Sequence, residues 1–84
     1  MAFVVTLYGR DGCHLCDEAR RSILALAAEL GGIELAEVDI ESDDRLFAAY
    51  LERIPVIELD GREISELEAD PDALRSALAH TVGP

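Results

Sequence analysis

The sequence is poor in basic residues and has no long apolar run. Seven basic residues stand against 18 acidic ones, which gives a formal net charge of −11. Such a charge repels nucleic-acid phosphates and anionic lipid surfaces, so we expect neither nucleic acid nor a membrane as a partner. No apolar stretch approaches the length of a membrane span, and the apolar first residues lack the basic leader and cleavage site of a signal peptide. We therefore expect a cytoplasmic protein.

Cysteine is also scarce, because the chain contains only Cys13 and Cys16. In a cytoplasmic chain, two cysteines at this spacing indicate catalysis or metal binding before they indicate a structural disulfide. A tetrahedral zinc site would need further ligands, histidine or carboxylate, and the chain offers only two histidines, His14 and His80. Of the possible metal sites, we favour one shared between two chains. We favour redox chemistry and predict no metal site.

The length of 84 residues fits one domain spanning residues 1–84. Half of the residues are hydrophobic, which is enough for a small core and argues against disorder. No internal repeat, low-complexity tract or linker divides the sequence. The acidic residues spread from Asp11 to Asp72 and are typical of a solvated surface. If they select partners instead, those partners should carry basic groups around the disulfide that they present.

The first half of the chain predicts a strand, a helix and a second strand. Residues 3–8 are apolar at both parities, which indicates a strand covered on both faces. A loop at 9–12 precedes a helix that ends at Gly31–Gly32. Spacings of three and four place five residues on one apolar stripe of this helix: Cys16, Ala19, Ile23, Leu26 and Leu30. In the second strand, 33–40, the apolar phase shifts, so we place its regular part at 36–40 after a bulge or late entry, at an edge of the sheet.

The second half predicts a helix, a hairpin and a last helix. Ser42 is the expected N-cap of a short amphipathic helix. A strand opens at Pro55 and is followed by the turn signal Asp60–Gly61 and an antiparallel partner at 62–66. Asp70 caps the last helix. The order β-α-β-α-β-β-α predicts an α/β fold with a mixed four-stranded sheet and helices on both faces.

Cys13 and Cys16 begin the first helix directly after a strand and a loop. At a helix N-terminus, unpaired amides and the helix dipole stabilise a thiolate, which is the nucleophilic form of cysteine. Cys13 occupies that tip, whereas Cys16 belongs to the apolar stripe and should be shielded. We therefore expect Cys13 to be the attacking nucleophile, with a lowered pKa, and Cys16 to be the resolving thiol.

The charges near Cys13 act in opposite directions. Arg10 and a protonated His14 favour the Cys13 thiolate, whereas Asp11 and Glu18 oppose it, as does Asp17 unless a neighbouring arginine neutralises it. We expect the helix terminus to outweigh these side chains.

Two segments resemble a known family: residues 7–19, LYGRDGCHLCDEA, and residues 53–57, RIPVI. Together they resemble the glutaredoxin-like branch of the thioredoxin superfamily, in particular small bacterial glutaredoxin-like proteins with a Cys-His-Leu-Cys site. The resemblance implies a thioredoxin/glutaredoxin-like fold and thiol–disulfide oxidoreductase activity. It also implies that Ile54–Pro55 is a cis peptide facing the cysteines and that Ile54 offers its backbone to the substrate. Tyr8 matches a position near the active site, and core packing explains it equally well.

The resemblance has two departures. Typical glutaredoxins carry Pro-Tyr between the cysteines, where this chain has His14–Leu15, and a Gly-Gly pair before the last helix, which is absent from residues 67–71. Asp70 could replace the acidic part of that glutathione site or simply cap the helix. Arg10 and Arg53 are candidates for a carboxylate clamp. We expect no tightly bound cofactor, with glutathione or another small thiol as a possible co-substrate.

The expected partners are a disulfide-bearing protein or a small disulfide, together with a reductase or small thiol as electron donor, and the chain is expected to be a monomer. Two other functions stay open at this point. One is an iron–sulfur or zinc carrier that uses Cys13 at a dimer interface, and the other is a binding module that has lost redox turnover.

Overall fold

Four strands form one mixed sheet in the computed structural model, which describes residues 3–68 and 70–82, with side chains up to residue 79. The elements follow the predicted order: β1 (Phe3–Gly9), α1 (His14–Leu30), β2 (Ile33–Asp39), a 3₁₀ turn (Ile40–Ser42), α2 (Asp44–Tyr50), β3 (Val56–Leu59), β4 (Arg62–Glu66) and α3 (Pro71–Val82). Among the described residues, none of the helices combines the length and the apolar character needed to cross a membrane.

The strand order is β2-β1-β3-β4, so β1 is central and β2 and β4 are the edges, as predicted. β1 runs parallel to β2 and antiparallel to β3, and β4 runs antiparallel to β3. The register pairs Gly9 with Asp39, Tyr8 with Val56, and Val56 with Glu66. These five residues therefore mark one end of the four strands, which we call the upper edge of the sheet, and α1 begins beyond it.

The core lies on one face of the sheet, beneath α1 and α3. β1 contributes Val5 and Leu7 to this core, and α1 contributes three of its four buried residues. The remaining members of the cluster come from β3 and α3: Ile57, Leu59, Leu74 and Leu78. Because side chains alternate along a strand, Tyr8 points to the opposite face, where it stacks on Tyr50 of α2. The prediction of helices on both faces is confirmed.

The prediction that β2 starts late or carries a bulge is wrong. β2 begins at Ile33 and pairs with β1 without interruption from Phe3–Ile33 to Gly9–Asp39, and Ile40 belongs to the following turn. Ile33 and Leu35 pack against the core, whereas Ala36 and Val38, which have the opposite parity, are half-buried as well. The apolar phase shifts because the two halves of this strand are covered on opposite faces.

The prediction of Ser42 as the N-cap of α2 is also wrong. The cap is Asp43, whose Oδ1 accepts the amides of Arg45 and Leu46 at 2.7 and 3.3 Å. The Ser42 hydroxyl donates instead to the carbonyl oxygen of Asp39, at 2.6 Å, inside the 3₁₀ turn. Asp43 has the extended backbone that a cap requires, because the turn consumes one more residue than the sequence pattern suggested.

The predicted cap of α3 is confirmed. Asp70 accepts the amide of Ala73 with its side chain, at 3.0 Å, and the amide of Leu74 with its carbonyl oxygen. This carboxylate serves the helix, which is the simpler of the two roles considered for it.

Candidate active site

A tight loop carries the chain from β1 into α1. The amide of Cys13 donates to the carbonyl oxygen of Arg10 at 3.4 Å, and Gly12 has φ +79°, a conformation that favours glycine. Cys13 is extended and is the N-cap of α1, and its carbonyl oxygen accepts the Asp17 amide at 3.2 Å. The loop thus places the first cysteine at the tip of the helix, as predicted.

Cys13 and Cys16 form a disulfide, with their Cα atoms 5.2 Å apart. The Cys13 side chain is partly exposed, whereas Cys16 is only 2% exposed. The Cys16 amide donates to Sγ of Cys13 at 3.1 Å, so the sulfur of Cys13 takes the place that a serine or aspartate oxygen takes at an ordinary cap. One helical turn therefore gives the two sulfurs different surroundings.

The buried sulfur rests directly against the end of β1. A Cβ atom placed on Gly9 would lie 2.9 Å from Sγ of Cys16, closer than side chains normally approach. On the β2 side, Cys16 also lines a groove of about 250 Å³. The other residues that line this groove include Arg10, Asp11, Glu37, Val38 and Asp39. Cys16 is therefore held between glycine backbone and a polar groove.

Charged side chains around the cysteines are paired with one another. Arg20 binds Asp17 at 2.8 Å and also binds Glu37, so the expected neutralisation of Asp17 is confirmed. The hydrogen bonds that Arg20 donates to Glu37 and Asp17, in that order of effect, raise the pKa of Arg20. His14 is 80% exposed, and its Nε2 lies 3.3 Å from Glu18. These charged side chains therefore pair with one another rather than with the Cys13 sulfur.

Arg10, a predicted substrate-binding residue, already has partners within the chain. Its Nη2 lies 3.0 Å from Oε1 of Glu41, and its guanidinium carbon lies 5.9 Å from the centre of the Phe47 ring. Arg10 lines the same groove as Cys16 and therefore lies at the site as predicted. Its guanidinium is, however, already paired with the Glu41 carboxylate of the same chain.

Arg53, Ile54 and Pro55 lead into β3 at the upper edge. The Ile54–Pro55 peptide is cis, as the resemblance implied, and Pro55 is buried. The Ile54 amide donates to the carbonyl oxygen of Tyr50 at 3.0 Å, so half of the backbone pairing expected for a substrate is already used. Arg53 binds two carboxylates of β4, those of Glu63 and Glu66.

Tyr8 packs beneath this loop. Its ring stacks on that of Tyr50, with centroids 4.8 Å apart, and its hydroxyl donates to Glu58 at 3.0 Å. Burial, followed by the hydrogen bond to Glu58, raises the pKa of Tyr8. The Tyr8 hydroxyl therefore stays protonated and donates to Glu58, and this hydrogen bond holds the ring that stacks on Tyr50 of α2.

Sequence reasoning missed the residues that hold the two arginines: Glu41, Phe47, Tyr50, Glu63 and Glu66. A signal existed for Glu63, because the Asp60–Gly61 turn predicts a hairpin that places residue 63 opposite residue 58. Glu66 lies opposite Val56 only because the register shifts within the hairpin, which the turn signal does not predict. No comparable signal existed for the aromatic rings, since their contacts join α2 to distant loops.

Metal binding within one chain finds no support in the described part of the structure. Across residues 3–68 and 70–79, no three His, Cys, Asp or Glu side chains cluster in a way that could hold a metal ion. The side chain of His80, considered above as a ligand, lies outside the described residues.

Comparison with known proteins places this site in a family. Residues 4–79 match the glutaredoxin-like domain (DUF836). The chain belongs to this family. An uncharacterised protein of Mycobacterium tuberculosis is 33% identical over 82 residues, which cover 92% of this chain and 84% of that protein. The family therefore confirms the resemblance seen in the sequence.

Solved structures agree with this assignment. A protein of X. campestris, solved by X-ray crystallography, is 37% identical, with 95% of this chain and 99% of that chain covered and a TM-score of 0.72. A mutant thioredoxin from Halobacterium salinarum is 25% identical, with 98% and 76% covered and a TM-score of 0.67. Together with the Cys13–Cys16 disulfide, the glutaredoxin-like family and the thioredoxin fold support a thiol–disulfide redox role.

Proposed function

We propose that this protein is a dithiol oxidoreductase in which Cys13 attacks and Cys16 resolves. The observation that carries the proposal is the asymmetry of the pair. Sγ of Cys13 caps α1, accepts an amide and is partly exposed, whereas Cys16 is 2% exposed. A thiol that is reachable and stabilised as an anion is suited to attack, and a shielded thiol one turn away is suited to intramolecular displacement.

The reaction starts from the reduced protein. The Cys13 thiolate attacks one sulfur of a substrate disulfide, forms a mixed disulfide and releases the first thiolate. The Cys16 thiol then loses its proton and attacks Sγ of Cys13, which releases the second thiolate. In total, the dithiol gives two electrons to the substrate and becomes the Cys13–Cys16 disulfide. The two released thiolates take up two protons through solvent, one lost when Cys13 ionised and one lost by Cys16.

The helix terminus, rather than an arginine, is the source of thiolate stabilisation in this proposal. Arg10 is paired with Glu41 and Arg20 with Asp17 and Glu37, so their charges are largely compensated. The Cys16 amide, by contrast, donates directly to Sγ of Cys13 at 3.1 Å, and this sulfur lies at the positive end of the dipole of a 17-residue helix. We therefore expect the pKa of Cys13 in the reduced protein to lie below that of an ordinary cysteine.

The partners follow from the chemistry. The oxidised substrate is a disulfide-bearing protein or a small disulfide, and a reductase or small thiol returns the electrons. We propose that this occurs in the cytoplasm, without a tightly bound cofactor, and that the protein acts as a monomer.

The test is the stoichiometry of thiol release from bis(2-hydroxyethyl) disulfide, a neutral substrate. The reduced wild-type protein should release two thiols per chain and end as the Cys13–Cys16 disulfide. Cys16→Ser should release one thiol and retain a mercaptoethanol adduct on Cys13, visible by mass spectrometry. Cys13→Ser should react on the order of tenfold more slowly, because its remaining thiol is buried.

Ala25→Ser provides a matched control, because it places a serine on the exposed side of the same helix. It should keep the wild-type stoichiometry. Equal reactivity of Cys13→Ser and Cys16→Ser, or an adduct found on Cys16 in the wild-type protein, would contradict the assigned roles.

A further inference from the structure

Two arginines lie near the upper edge of the sheet, Arg10 after β1 and Arg53 before β3, and both are held in the same way. Each guanidinium lies over an aromatic ring of α2: Arg10 over Phe47 and Arg53 over Tyr50, 5.3 Å from the ring centre. Each also binds carboxylates of its own chain. Arg10 binds one, from Glu41, and Arg53 binds two. The groups best suited to recognise an anionic substrate are therefore already occupied.

A bulge in β4 explains how Arg53 obtains two carboxylates. Glu63 and Glu66 are three residues apart, a spacing that normally places two side chains on opposite faces of a strand. The register shifts between Ile57 and Glu58, so that Glu63 pairs with Glu58 and Glu66 with Val56. Since residues 56 and 58 share a face of β3, the bulge brings both glutamates to the face on which Arg53 lies.

The charges at this flank do not cancel. One guanidinium faces two carboxylates, which leaves a formal charge of −1, and Glu58 lies on the same face beneath Tyr8. The hydrogen bonds that Arg53 donates to Glu63 and Glu66, in that order of effect, raise the pKa of Arg53, so the guanidinium stays charged at any physiological pH. The register places it at the upper edge, where Val56 adjoins Tyr8 and the loop to the cysteines begins.

We propose that Glu63 and Glu66 make this flank a selectivity element that disfavours anionic disulfides and favours neutral or cationic ones. This inference rests on the proposed oxidoreductase function. A substrate carboxylate would have to compete for Arg53 with two carboxylates that already bind its Nε and Nη2. A cationic disulfide meets no such competition and is attracted by the net negative flank. The substrate class is thus a disulfide bordered by basic groups.

The test compares three small disulfides that differ mainly in charge: bis(2-aminoethyl), bis(2-hydroxyethyl) and bis(2-carboxyethyl) disulfide. In each case the reduced protein supplies two electrons and two protons, and two thiols are released. Each rate is divided by the rate of dithiothreitol with the same disulfide, which removes differences between the leaving thiols. At low ionic strength, we expect the normalised rates of the cationic and anionic disulfides to differ on the order of tenfold, and to converge at about 0.5 M salt.

Two double variants with the same charge change locate the effect. Glu63→Gln/Glu66→Gln should raise the normalised rate of the anionic disulfide several-fold, because Arg53 is released. Glu29→Gln/Glu34→Gln removes two carboxylates at the opposite end of the molecule, where Glu29 pairs with Arg75, and should have a smaller effect.

Each result decides between explanations. Equal responses of the two double variants would show a general charge effect and overturn the role of Glu63 and Glu66. Normalised rates that are the same for all three disulfides at low salt would overturn the charge selection itself, even if neither variant folds. Failure to reduce the neutral disulfide would overturn the oxidoreductase function, and the selectivity with it.

Discussion

The sulfur of Cys13 caps α1 as well as forming the redox pair, which leads to a prediction about stability. Replacing Cys13 by serine keeps an acceptor for the Cys16 amide, whereas replacing it by alanine removes that acceptor. Cys16 stays in both variants, so the comparison isolates one atom at the tip of the helix. We expect Cys13→Ala to be the less stable of the two.

The expected difference follows from the cap geometry. The amide lies 3.1 Å from the sulfur, and Cys13 already has the extended backbone of a capping residue, so serine needs no rearrangement. Loss of an N-cap acceptor costs about 1 kcal/mol. For a domain of this size, that corresponds to a decrease in Tm of roughly 4–8 °C.

The assay is thermal and urea unfolding of both variants, followed by circular dichroism in the presence of reductant. Ala25→Ser is the control, because serine in the exposed middle of the helix should be slightly destabilising relative to alanine. Serine should therefore stabilise at position 13 and destabilise at position 25. Equal stability of Cys13→Ser and Cys13→Ala would refute the capping role.

Two further predictions concern Tyr8 and the start of α2. Tyr8→Phe removes the hydrogen bond to Glu58 and should cost about 1 kcal/mol near neutral pH. Because the pKa of Tyr8 is raised on folding, this contribution is complete below the pKa of the unfolded chain, about 10, and is lost as the pH rises through the folded value. Urea titrations at several pH values would measure this, and a difference between the proteins that does not shrink in alkali would contradict it. Asp43→Ala should cost about 1 kcal/mol in urea unfolding, more than Ser42→Ala, because Asp43 accepts two helix amides; the reverse order would restore Ser42 as the cap.

Local patterns predicted the elements that matter most for the chemistry. The apolar run of β1, the stripe of α1 and the glycines around the helix each carry their signal in neighbouring residues. The structure confirms them, except that the last stripe residue, Leu30, is exposed. The errors came where coverage by distant elements decided the outcome. The first half of β2 is covered on the core face of the sheet and its second half on the opposite face. A 3₁₀ turn places the cap of α2 one residue later than the sequence pattern predicted.

The strand–loop–helix unit and the unequal positions of Cys13 and Cys16 follow from local sequence, because helix periodicity and end effects act over a single turn. Which charged side chains are already paired depends on the folded arrangement. Arg10 and Arg53 look alike in the sequence, yet each is bound to carboxylates that lie 31 residues (Glu41) or 10 and 13 residues (Glu63 and Glu66) away along the chain. Ion pairs of this kind depend on strand register and on the β4 bulge, which bring together side chains whose spacing in the chain carries no such information.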